Sequence, residues 1–158
     1  MSRQRKIGLL VLFGALLLGL AAWFFGGELS EEDQVRQVIH QVADGAESAD
    51  LGVCLEPFSA RYSDPDGIDK NGIRGILWQQ FNKRGPISVW MSPIEVQVTV
   101  DRALASFEVA LVEGDSDSMI AWPVGAEGLH FEVELEKEDG DWHITSHTRQ
   151  SVVRADTG

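Results

Sequence analysis

Leu129, Phe131, Val133 and Leu135 alternate with His130, Glu132, Glu134 and Glu136, and Asp139-Gly140 follows soon after. Apolar side chains at every second position define a strand with one buried face. Asp-Gly is a two-residue hairpin turn, because both residues tolerate positive φ. The chain must turn back there, and the short loop fixes which residues meet. Glu138 is expected opposite Asp141, Glu136 opposite His143, Leu135 opposite Ile144, Glu134 opposite Thr145, Glu132 opposite His147 and His130 opposite Arg149. One face is then Phe131, Val133, Leu135, Trp142 and Ile144, and the other is a ladder of glutamates facing histidines. Further along the apolar face, Ser146 and Thr148 replace large side chains, which reads as a core opening into a cavity.

An earlier strand carries Ile94, Val96, Val98 and Val100, and its partner carries Phe107, Val109 and Leu111. A two-residue loop at Asp101-Arg102 would set Glu95 against Glu108, so a four-residue loop, Asp101 to Leu104, is expected. Ile87 to Met91 reads as a separate strand half, bent away at Pro93. Helices precede the strands. Val35, Val38, Ile39, Val42, Ala46 and Ala49 share one helical face after Ser30, Glu31, Glu32 and Asp33. Asp50 is placed to cap a short helix, Leu51 to Glu56. Asp69 is placed to cap a third, carrying Ile73, Ile76, Leu77 and Phe81 and ending at Gly85-Pro86. Gly72 and Gly75 weaken that helix, and close packing against another backbone would explain them. Sixteen residues, Glu113 to Gly128, break the pattern; an extra strand with a turn is expected there, or a lid or partner contact.

The uncharged run Ile7 to Phe25 follows Arg3, Arg5 and Lys6. It is long enough to span a bilayer, and the preceding cations place its N-terminus in the cytoplasm. The expectation is a single-pass anchor over residues 1–27, an extracytoplasmic domain over 28–154 and a loose tail over 155–158. In a bacterium this is the inner membrane with the domain in the periplasm. The alternative is a signal peptide cleaved after Gly19-Leu20-Ala21, giving a secreted domain. All acidic residues lie after Gly27, so the domain is more acidic than the chain's net charge of −12. Such a surface repels nucleic acid.

Cys54 is the only cysteine, so no intrachain disulfide forms, and its apolar neighbours read as a buried inert thiol. His143 and His147 among Glu132, Glu134 and Glu136 read as a solvated, pH-sensitive ladder rather than a metal site. Tyr62, Asp64 and Asp66 are the candidates for acid–base chemistry, although turn formation alone explains Asp64-Pro65-Asp66-Gly67. No cofactor or metal is expected.

A helix over Glu31–Ala49, a short helix, the segment Tyr62-Ser63-Asp64-Pro65-Asp66-Gly67, a helix from Asp69, and strands closing in Glu138-Asp139-Gly140-Asp141-Trp142-His143-Ile144 follow one another. This order resembles the nuclear transport factor 2-like (NTF2-like) superfamily, also called the SnoaL-like or cystatin-like cone, over about residues 30 to 152. The resemblance implies an α+β cone: three helices on a strongly curved, mostly antiparallel sheet, enclosing a pocket. The family includes isomerases, polyketide cyclases, dehydratases and non-catalytic binding or accessory domains. Isomerase-type members use an aspartate base with a tyrosine and a protonated acid. Here Tyr62, Asp64 and Asp66 do not map onto that set, and no aspartate lies on the apolar strand faces. The expected pocket lining is Trp78, Phe81, Phe107, Phe131, Trp142, Ser146 and Thr148. The expected role is non-catalytic: a small apolar ligand in the pocket, or a second copy or membrane-proximal protein on the outer sheet face. The alternative is an isomerase, cyclase or dehydratase working by acid–base chemistry.

Overall fold

A computed structural model describes residues 27–83, 87–113 and 128–152 of the chain. The chain divides into two units, Met1–Ser30 and Glu31–Gly158, and the second holds every element described below. The expected span 7–25, residues 114–127 of the Glu113 to Gly128 connection and the tail 155–158 lie outside the described residues. Among the described residues, no helix is long and apolar enough to cross a membrane.

Helix α1 (Glu31–Glu47) opens with Glu31, Glu32 and Asp33, whose charges suit the positive end of a helix. Glu31 also fastens that end. Its Oε1 accepts from Lys137 Nζ at 2.6 Å and its Oε2 from the indole N–H of Trp142 at 2.8 Å. The bonds to Lys137 and then Trp142 hold the Glu31 carboxyl below its usual range. Val35 and Ile39 bury toward the sheet. Ala49 lies beyond the helix, exposed and in a left-handed conformation, rather than on its apolar face.

Asp50 caps α2 (Leu51–Leu55) by accepting from the Val53 amide at 3.0 Å. The two helices touch at Gly45, where a Cβ would meet the Cys54 amide nitrogen and Sγ at 2.8 Å. Cys54 is fully buried, and burial, with Asp50 adding, pushes its thiol up to about 11. Asp69 caps α3 (Lys70–Lys83) through the Gly72 amide at 2.8 Å. Gly72 makes room for the side chain of Ile68, whereas Gly75 faces open space and needs no glycine for packing.

The sheet is antiparallel and curved. Strands β1 (Ile87–Met91) and β2 (Glu95–Thr99) both pair with β3 (Arg102–Glu113), which pairs with β4 (Gly128–Glu138), then β5 (Asp141–Val152). β1 and β2 are therefore two halves of one edge, broken around Pro93. Ser92 bridges the break: its amide donates to the Glu108 carbonyl, and its Oγ accepts from the Glu108 amide. The β2–β3 loop is shorter than expected. Thr99 pairs with Arg102, so Val100 and Asp101 alone make the turn. This shift sets Glu95 against Ser106 and removes the Glu95–Glu108 clash that argued for a longer loop. It holds Val100 at φ 52°, a strained choice for a β-branched residue. The Asp101 carbonyl accepts from the Lys137 amide, which pins the turn to β4.

The β4–β5 hairpin keeps the expected register from Glu138–Asp141 to Leu135–Ile144 and then departs from it. Glu134 pairs with Ser146, Val133 with His147, Glu132 with Thr148 and Phe131 with Arg149. Thr145 is the extra residue of a β-bulge. Because side chains alternate with period two, one inserted residue exchanges the two faces of everything after it. His147 and Arg149 therefore join the face of Val133 and Phe131. Ser146 and Thr148 go to the face of Glu134 and Glu132.

Candidate functional site

A cavity of about 470 Å3 opens between the helices and the concave side of the sheet. Its walls are Ile39, Val42, Ala43 and Ala46 of α1, Phe58, Ile76, Leu77 and Phe81, and Val89, Met91, Phe107, Val109, Leu129, Phe131, Val133 and Ile144 of the sheet. Gln80, His147 and Arg149 are the polar side chains among the described lining residues. Ile76, Gln80 and Arg149 line the cavity and are exposed, so they form its rim. Ile39, Phe58, Phe107, Val109, Val133 and Ile144 are buried and form its depth.

The polar corner is assembled by the segment after α2. Its backbone runs along β5: the Ile144 amide donates to the Pro57 carbonyl, and the Ser59 amide donates to the Ile144 carbonyl. The Ser63 amide then donates to the carbonyl of Thr145, the bulged residue, at 3.1 Å. This places Tyr62 beside His147, and the Tyr62 hydroxyl bonds His147 Nδ1. The rings stack with centroids 6.0 Å apart, and Phe131 tilts against the imidazole at 5.8 Å. Phe131 in turn stacks on Phe107 at 5.8 Å. Arg61 and Ser59 hold the segment from its other side, through Glu136 and Glu138.

Tyr62 is 2 % exposed. Burial, then the Asp64 carboxylate, raises its phenol well above the ordinary value, with Arg149 opposing. Burial lowers the His147 pKa, Arg149 lowers it further, and Asp64 opposes. At neutral pH the pair is a phenol and a neutral imidazole. The phenol's hydrogen has no other described acceptor, so Tyr62 donates to Nδ1 and the imidazole hydrogen sits on Nε2.

The three sequence candidates separate. Tyr62 is in the corner. Asp64 faces it electrostatically, but its Oδ1 accepts from the Asp66 and Ile68 amides at 3.0 and 2.8 Å, which builds the turn. Asp66 is exposed and gives only its backbone to that turn. Phe81, Phe107 and Phe131 line the cavity. Trp78 does not: it is 60 % exposed, turned about 100° around α3 from Leu77, and stands outside the lining. Trp142 is 4 % exposed, but its indole is spent on Glu31 in the packed end of the cone. Ser146 and Thr148 are carried away by the bulge. His147 and Arg149 were missed for the same reason. The lapse of the apolar pattern at Ser146 was the available signal, since a face that turns polar in mid-strand also marks a register shift.

The glutamate–histidine ladder is correspondingly reduced. Glu136 faces His143, while His130 faces Gln150 and bonds Ser106 Oγ at 3.2 Å.

No family model matches the chain, and no curated protein matches it. Solved structures do. A protein of unknown function with a cystatin-like fold from Nostoc punctiforme matches with a TM-score of 0.63 at 12 % identity, covering 80 % of this chain and 96 % of that one. An NTF2-like protein of unknown function from Pseudomonas putida gives 0.64 at 15 %, covering 80 % and 89 %. A candidate dehydratase of the NTF2-like family from Streptomyces avermitilis gives 0.63 at 14 %, covering 78 % and 97 %. At such identities the likeness establishes architecture alone: the described domain has the NTF2-like, or cystatin-like, cone fold.

Proposed function

We propose that the domain is a binding module that holds a small apolar molecule in its cone. The observation that carries this reading is the cavity itself. Its volume of about 470 Å3 suits a small organic ligand, and it is walled by hydrocarbon with a few polar groups at one corner. The expected N-terminal span would present the cone close to a membrane, outside the cytoplasm. Native mass spectrometry of the chain purified from its own host tests the reading. A retained small molecule, lost in an Ala46→Leu variant that fills the cavity, is the expected result. A bare chain that also takes up no apolar probe rejects it.

The second reading is an acid–base enzyme, an isomerase, cyclase or dehydratase, and the Tyr62–His147 pair favours it. A neutral imidazole whose Nδ1 is held by the buried phenol keeps its Nε2–H as a donor at the edge of an apolar cavity, the arrangement of a group that protonates or polarises a substrate oxygen. Incubating the chain with the molecule it retains separates the two readings. Conversion that stops in His147→Gln supports the enzyme, and a ligand recovered unchanged supports the binder.

A further inference from the structure

The reading of the cone as a binding pocket leaves the one cationic side chain among its described lining residues without a role. Arg149 lies on the concave face, opposite Phe131, and reaches the rim of the cavity. Among the described residues no carboxylate comes within ion-pairing distance of it or of the exposed Arg74, which lies away from the cavity, whereas Arg36 and Arg102 each pair with one and Arg61 with two. The domain is strongly acidic, so an arginine without an acidic partner at a cavity mouth is not explained by surface charge balance. It is also not needed for packing, since its side chain is exposed.

We propose that the ligand is an apolar carboxylate, its hydrocarbon body against Phe107, Phe131 and Val133 and its carboxylate at the rim against Arg149. The guanidinium offers two parallel donors that match a carboxylate. The imidazole of His147, whose Nδ1 is taken by Tyr62, supplies one further N–H donor two residues along the same strand face. Asp64 bounds where the head group sits. Its carboxylate acts on both Tyr62 and His147, so an anion pressed deep against Tyr62 is repelled, and the charge belongs at Arg149. An acidic domain repels anions in general, which makes a local cation the requirement for binding one. The position of Arg149 depends on the bulge: without Thr145 opposed by no residue, the guanidinium would lie on the outer face.

The test uses naphthylacetate and its neutral analogue naphthylethanol, which have nearly the same size. Each is titrated calorimetrically into the full chain in lipid nanodiscs, with empty nanodiscs as the blank. The acid is expected to bind roughly tenfold or more tighter than the alcohol, the range of a charge-assisted contact. Arg149→Gln is expected to remove most of that preference by weakening the acid far more than the alcohol, and Arg149→Lys to retain part of it. Alcohol binding as tight as the acid's, or an equal loss of both in Arg149→Gln, overturns the assignment and leaves the binding pocket standing. Failure of both compounds to bind the unaltered chain overturns the pocket and the assignment together.

Discussion

β5 is one strand with two halves that meet at Thr145. Before the bulge, Trp142 and Ile144 turn inward, are almost fully buried, and pack with Leu135, Val35 and Ile94 into a closed core. After it, the inward positions hold His147 and Arg149, and the core gives way to a cavity. The two halves share a sheet, a partner strand and an alternation of faces. They differ in what the concave side is for. The first half closes the cone, with Ile144 forming the inner end of the cavity. The second lines it, and the polar groups there are held by contacts that run through the bulge, from the Thr145 carbonyl to the Ser63 amide and from Tyr62 to His147.

If that division is right, truncations on the two sides should not cost the same. Leu135 is 1 % exposed and faces Ile144. Leu135→Ala is expected to cost about 2–5 kcal/mol, because the surrounding core cannot collapse into the space. Phe131 is larger but borders space that is already empty. Phe131→Ala is expected to cost less than Leu135→Ala in urea denaturation, while it weakens any ligand held in the cone. An equal or larger loss at Phe131 breaks the comparison, since it means the far half is also packed core.

Tyr62→Phe acts on the second half alone. It keeps the ring and its edge contact with Phe58, at 5.0 Å, and removes only the hydroxyl. His147 Nδ1 then loses its described partner, and a loss of about 1–3 kcal/mol is expected, the cost of an unsatisfied, partly buried polar group. Denaturation of Tyr62→Phe with His147→Gln, singly and together, sharpens the point. Strong non-additivity is expected for a bonded pair, and simple additivity contradicts it.

The same boundary separates what was legible in the sequence from what was not. The alternation from Leu129 to Leu135, the Asp139-Gly140 turn and the caps Asp50 and Asp69 are local signals, and the structure places each element where they point. The order of these elements carried the fold. The pocket was legible only as far as the register held. Phe107 and Phe131 follow from alternation alone. Ser146 and Thr148 required the alternation to continue through Thr145, and it does not. A bulge is stabilised by partners distant in sequence, here the Pro57–Ser63 segment along β5, so the one local sign, the apolar face turning polar at Ser146, reads equally as a cavity or as a register shift. The β2–β3 loop failed differently. A two-residue turn at Val100-Asp101 puts a β-branched residue at positive φ, which local rules disfavour; pairing along β3 outweighs that cost.

The smallest expected effect concerns protons, and it distinguishes the halves most directly, because only the second holds a titrating ring in the concave face. Burial depresses the His147 pKa, with Arg149 adding and Asp64 opposing. Above the ordinary histidine value of about 6.5, the ring is neutral in the folded and unfolded chains alike, and its environment costs nothing. As the pH falls below that value, the unfolded chain takes up the proton first, so stability declines until the folded ring also protonates. The thermal midpoint of the unaltered chain should therefore fall on acidification through this window, and less steeply in His147→Gln. His40, His130 and His143 are common to both proteins and cancel in the difference. The depressed carboxylates Glu31 and Glu138 also cancel, and they lose their contribution only at lower pH. Identical slopes for the two proteins would mean that the imidazole is as well solvated folded as unfolded. His147 would then belong to the solvent-facing ladder that the uninterrupted register implied, and the division of β5 at Thr145 would fall with it.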